Sequence, residues 1–161
     1  MITILHISDL HIHSNYDQDQ VLDKFLDDLK KQEKIDLVVC SGDIFAKGNY
    51  NKSIVEYAQN FFHKLNKITN NAEIILCAGN HDVNLKIRDS IFSSIFDIKD
   101  HKAAVNLFDK LYHEPKKDLL AHLSDYNDFA STIVNIPLEN KIFFTKSITI
   151  NNQNIGIASL N

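Results

Sequence analysis

Cysteine is too scarce here for a disulfide framework or a thiolate zinc site: Cys40 and Cys77 are the only two. Both fall in apolar stretches read as buried strands, where they serve as small core residues in a reducing compartment. No apolar run approaches the roughly 18 residues needed to span a bilayer. A basic N-terminal region leading into an apolar core and a small-residue cleavage site is also missing, so the expected location is cytoplasmic, with no membrane partner. Charge of one sign is lacking too. A net charge of −4 over 161 residues gives no global pull toward nucleic acid or an anionic membrane. The lysines come in small groups (Lys30, Lys31 and Lys34; Lys116 and Lys117) that fit solvated helix faces better than a binding stripe. There is no internal repeat, low-complexity tract or inter-domain linker.

What is present suits one globular domain with a sizeable core: 161 residues, 44% hydrophobic and 24% charged. Residues 2–8, 35–40 and 73–78 are short apolar runs that read as buried strands. Between them lie two amphipathic stretches. Val21, Leu22, Phe25, Leu26 and Leu29 form a stripe from about Gln20, with Asp17 or Asp19 as cap. Ile54, Val55, Ala58, Phe61, Phe62 and Leu65 form another over 52–67. This alternation predicts an α/β protein with a parallel sheet. Right-handed crossovers would put the three strand C-termini on one edge, outside which ligands bind.

Residues 84–141 read as a helical insertion lying over or beside the sheet. Its segments centre on Ile87, Ile91 and Ile95, then Ala104, Leu107, Phe108 and Leu111, then Leu119, Leu120, Leu123 and Tyr126. Pro115 breaks the last two and Pro137 closes the series. Residues 141–150 and 155–160 then form a predicted hairpin around a turn at 151–154.

Each of the first three strands ends in polar groups that no strand needs: Ser8-Asp9-Leu10-His11, Ser41-Gly42-Asp43 and Gly79-Asn80-His81-Asp82. Asp9 and His11, two apart in a turn, can face one point with Leu10 turned away. Gly42 lets the backbone before Asp43 approach closely, and Gly79 stands in the same relation to Asn80. Carboxylate and carboxamide oxygens combined with imidazole nitrogen suit Mn²⁺, Fe²⁺ or Zn²⁺. A central carboxylate can bridge two ions about 3.5–4 Å apart, and Asp43, on the middle motif, is the natural bridge.

These three motifs, in this order on successive strand ends, resemble the calcineurin-like metallophosphoesterase superfamily. The resemblance is strong over 1–83 and loose over 142–161. It implies a layered α-β-β-α sandwich and metal-dependent hydrolysis of phosphate mono- or diesters by a hydroxide activated between two metal ions. It also implies metal ligands: Asp9 and His11 on the first ion, Asp43 on both, Asn80 on the second. His81 is implied as a catalytic residue beside the leaving group, acting as general acid or charge stabiliser, with Asp82 fixing its tautomer. The superfamily completes its site with histidines from later Gly-His and Gly-His-x-His motifs, and neither occurs here.

The expectation is therefore a single but incomplete domain over 1–161, carrying the N-terminal half of the sheets. A second reading is a catalytically incomplete fragment or binding module of a larger multidomain protein, with further domains C-terminal to it. A third is a nuclease, against which the lack of a basic groove weighs. The expected partner is a phosphate ester. Other histidines read as structural: His6 hydrogen-bonded or in the core, His13 solvated at the mouth, and His63, His101, His113 and His122 on helices. Ser8 and Ser41 read as backbone supports, since no base partners them in sequence.

Overall fold

In a computed structural model of the chain, the described residues are 1–13, 16–32, 34–89, 100–103, 105–106, 121–134 and 143–160, with main chain alone at 16–17, 143–144 and 160. Three strands, β1 (Ile4–Ile7), β2 (Leu37–Cys40) and β3 (Glu73–Leu76), form a parallel sheet in the order β1-β2-β3. Ile4 stands opposite Leu37 and Leu37 opposite Glu73. The apolar runs outlast the ladder. Ile35, for example, is buried just ahead of β2 without pairing in it, because burial extends past the residues that pair in the ladder.

The crossovers are helices α1 (Tyr16–Leu29) and α2 (Lys52–Ile68). Adjacent consecutive strands joined by right-handed crossovers put both helices on one face. They touch there, with the Phe25 and Phe61 rings 6.3 Å apart. Leu22, Leu26 and Leu29 of α1 and Ile54, Ala58, Phe61, Phe62 and Leu65 of α2 cover Ile7, Val38, Cys40, Ile74 and Leu76 of the sheet. Helix α1 begins ahead of the expected Gln20 because its first turn is polar and leaves no apolar stripe to read. Asn51 caps α2, its Oδ1 accepting from the Ile54 amide at 3.1 Å.

A third helix, α3 (Ser124–Val134), follows a 3₁₀ turn at Ala121–Leu123. It is built into the core. Tyr126, Phe129 and Ala130 are buried with the sheet residues, and Phe129 meets Phe45 edge-on at 4.8 Å and Phe62 at 6.0 Å. Of the other two expected helices, residues 85–89, 101–103 and 105–106 are helical. Ile91, Ile95, Ala104, Leu107, Phe108, Leu111, His113, Pro115, Leu119, Leu120 and Pro137 lie outside the described residues.

Strands β4 (Phe143–Ile150) and β5 (Gln153–Leu160) form the expected hairpin, with Ile150 opposite Gln153. Its turn narrows to Asn151-Asn152, both at positive φ (50° and 61°), the conformation that a two-residue loop requires and asparagine tolerates. Lys146 pairs with Glu73, whose side chain points away from the helices because Ile74 and Leu76 point toward them. The hairpin therefore meets the sheet on the side away from the helices, at β3, with its own side chains left mostly exposed or half-buried. Its other ties are Ser159 Oγ to the Leu76 carbonyl (3.5 Å) and Asn151 Nδ2 to the Met1 carbonyl (3.3 Å). No helix among the described residues is long and apolar enough to cross a membrane.

Asp36 latches the start of β1 to β2. Its Oδ2 accepts the Thr3 amide at 2.9 Å, and Lys34 Nζ lies 2.8 Å from Oδ1. The Lys34 ammonium first, then the Thr3 amide, hold this carboxyl below its ordinary value of 3.8. A depressed carboxyl stabilises the fold above its unfolded value and stops doing so as pH falls through the lower, folded one. Asp36→Asn should thus lower the urea midpoint at pH 7, and the gap to wild type should close below the ordinary carboxylate range.

Candidate metal centre

Beyond their last ladder positions the three strands stay joined through main-chain bonds between their loops. Asp9 N–H donates to Gly42 O (3.1 Å), His11 N–H to Asp43 O (2.9 Å) and Ile12 N–H to Ile44 O (2.7 Å), while Cys77 N–H donates to Cys40 O (2.9 Å). Ile12 and Phe45, both fully buried, bridge as an extra parallel pair. The apolar residues that follow each ligand position therefore anchor the loops, and the polar ones face outward at the sheet edge.

Asp43 is where the loops meet. Its Oδ1 accepts the His81 amide at 2.9 Å, joining the second motif to the third. That approach needs glycine on both sides. A Cβ on Gly79 would stand 2.1 Å from Asp43 Oδ1, and one on Gly42, at φ +119°, would stand 2.6 Å from Gly79 N. Asp9, His11 and Asp43 themselves sit at φ of 54°, 44° and 55°, a left-handed region that costs a non-glycine residue about 1–3 kcal/mol. Strain at three expected ligands suits side chains held for an external partner.

One donor atom each from His11, Asp43 and His81 lie within 4.8 Å of one another. Two ligands of one ion at about 2.1 Å stand at most about 4.2 Å apart, so small side-chain shifts would let these three share an ion. The His11 and His81 rings meet edge-on at 4.7 Å. Buried His81 Nδ1 has no hydrogen-bond partner among the described residues, so no side chain there fixes the tautomer of this ring. His11 Nε2 is 3.8 Å from Asp9 Oδ1, and Ser8 Oγ donates to Asp9 Oδ2 at 2.6 Å. Asn80, next to His81 in sequence, is exposed at the tip of the Gly79–Asp82 turn, with no side-chain hydrogen bond to a described residue. The donor set of carboxylate, carboxamide and imidazole fits a first-row divalent ion.

Asp82 departs from the expectation that it orients His81. Its carboxylate is fully buried, and both oxygens are taken by main chain: Oδ1 by the Phe45 amide (2.8 Å), Oδ2 by the Gly79 amide (2.9 Å). Amides left over at two loop ends offer a buried carboxylate more than the neighbouring imidazole does. Burial pushes this carboxyl up, the Gly79 and Phe45 amides oppose that, and the Asp43 charge adds to it. Asp82 thus acts on the backbone, clasping the third loop to the second. Tyr50 Oη reinforces the clasp by donating to the Asp82 carbonyl at 2.5 Å, as does the Gly48 amide to the His81 carbonyl at 2.6 Å.

Of the remaining polar residues, His6 Nε2 pairs with Ser41 Oγ at 2.8 Å, so both stay structural. Cys40 and Cys77 are unbridged, and burial pushes the Cys40 thiol up to about 12, making it inert. Lys47 was not singled out by its sequence pattern. It is exposed, sits at φ 56°, and is held between the first and third loops by the Ala46 amide on Ile12 O (3.3 Å) and the Gly48 amide on His81 O. A non-glycine residue followed by glycine in a motif loop was the available signal.

No curated protein matches the chain. The family model for calcineurin-like phosphoesterases matches residues 2–157, running through all three motif loops, across the segment expected as an insertion and into the hairpin. The parallel sheet with its flanking helices is the mixed α/β arrangement of that fold. With the motifs, the strand-end centre and this match in agreement, the chain belongs to the calcineurin-like phosphoesterase family.

Proposed function

We propose that the chain hydrolyses phosphate esters at a divalent-metal centre held by Asp9, His11, Asp43 and Asn80. The observation that carries this reading is the meeting of His11, Asp43 and His81 at the ends of adjacent parallel strands. Bound divalent ions supply Lewis acidity that acidifies water and neutralises phosphoryl oxygens. The other tasks belong to the chain. Asp9 and Asp43 bring the negative charge that attracts cations, and Asp43, in the loop after the central strand, would be the shared ligand if two ions bind. With Nδ1 buried, His81 has Nε2 to give a proton to the departing ester oxygen. As that P–O bond breaks, the oxygen of water forms the new bond to phosphorus, leaving an alcohol and a phosphate. Exposed Lys47, its main chain tied between the first and third loops, is the cation this reading assigns to the non-bridging oxygens.

Release of nitrophenol from mono- and bis-aryl phosphates tests the reading. With Mn²⁺ supplied, hydrolysis that a chelator abolishes supports it. Protein that binds Mn²⁺ but splits neither substrate would instead be a binding module. Lys47→Met should raise KM for the monoester about tenfold and change kcat less, because a charge-assisted contact contributes about 1.5–3 kcal/mol at most. An unchanged KM removes Lys47 from the site.

The spacing of the three donors favours a second reading, in which His81 is itself a ligand of a one-ion centre. Mn²⁺ affinity separates the two. His81→Ala leaves it intact if His81 is the proton donor and lowers it sharply if His81 is a ligand.

A further inference from the structure

We infer that Gln18 is a positioning residue of this centre, its carboxamide holding the loop that presents His11. The inference rests on the metal-centre reading and adds a residue to it. Gln18 lies half-buried in the first turn of α1. Its Nε2 donates to the carbonyls of Leu10 (2.7 Å) and His11 (3.1 Å), and its Oε1 accepts the His13 amide at 2.9 Å. One side chain thus holds the peptide groups on both sides of His11.

His13 completes the frame, its Nδ1 lying 2.7 Å from the same His11 carbonyl. A carbonyl only accepts, so Nδ1 carries the proton and the lone pair of the neutral ring stays on Nε2.

His11 needs such a frame. At φ 44° it is strained, and its amide is already committed to Asp43 O. Released from Gln18, the loop could relax toward negative φ and swing the imidazole away from Asp43 and His81. The carboxamide caps none of α1's own amides, so helix stability does not account for its placement. Outer hydrogen-bond partners of metal ligands characteristically set both ligand orientation and affinity.

The test is Mn²⁺ binding, read by electron paramagnetic resonance, to the full chain as wild type, Gln18→Ala and Gln18→Met. It is accompanied by metal-free thermal melts and by hydrogen exchange at the His13 amide. Both variants should bind Mn²⁺ about 10–100-fold more weakly. Their metal-free melts should stay near wild type, and the His13 amide should exchange faster. Methionine keeps the length and helix propensity of glutamine, so a loss shared by both variants belongs to the hydrogen bonds. Wild-type affinity in either variant overturns the inference, as does weakening that tracks a lower metal-free melting temperature; both leave the metal-centre reading standing. Wild-type protein that binds no Mn²⁺ overturns that reading and this inference with it.

Discussion

Asp43→Ala should reduce metal-dependent phosphoester hydrolysis by on the order of 10³-fold or more, since a bound ion supplies several kcal/mol of transition-state stabilisation. Two roles meet in this carboxylate. It is the central anionic donor of the cluster with His11 and His81, and its Oδ1 fixes the His81 amide at 2.9 Å. Alanine removes both. Asp43→Asn separates them, because a carboxamide oxygen can still accept the His81 amide while the charge is gone. Asparagine should therefore keep the melting temperature close to wild type and still lose most of kcat/KM. If Asp43→Asn retains near-wild-type kcat/KM, the charge of Asp43 is not what holds the ion. If Asp43→Ala unfolds the chain, the asparagine variant still decides the point.

Gly79→Ala should cost about 3 kcal/mol of stability and abolish metal binding with it, because overpacking at a rigid contact typically costs 1–3 kcal/mol or more. The added methyl would stand 2.1 Å from Asp43 Oδ1 and 2.5 Å from Asp43 N, where nothing flexible can give way without moving the loop. Gly42, on the Asp43 loop, faces Gly79 in return, its added methyl standing 2.6 Å from Gly79 N, so the second and third motifs can approach only as a glycine pair. Gly156→Ala in β5 is the contrast, since nothing lies within 4 Å of its added methyl. That variant should match wild type in urea unfolding and in Mn²⁺ binding. Equal behaviour of the two alanine variants would mean that close approach of the loops does not build the centre.

The cluster of His11, Asp43 and His81 was legible in sequence to the extent that its chemistry sits at strand ends. Asp9, His11, Asp43, Asn80 and His81 stand out because carboxylates, imidazoles and carboxamides follow apolar runs abruptly. The parallel series of strands and helices brings such ends to one edge. The partners of these residues were not legible. Gln18 looks like an ordinary residue of a helix's first turn, and only the folded loop reveals the three peptide groups it holds. Asp82 beside His81 suggests a side-chain pair, yet the Phe45 and Gly79 amides claim its oxygens. The stripe of Leu123 and Tyr126 announced a helix without saying what it packs on. Burial of Phe129 against Phe45 and Phe62 ties this helix into the core.

The most direct test is calorimetric titration of the full chain with Mn²⁺, as wild type and as Asp43→Asn. If the three strand-end loops form one centre, wild type binds saturably, a chelator reverses the binding, and the variant loses at least about tenfold in affinity. Wild type that takes up no ion, or a variant that binds as tightly as wild type, would contradict the account.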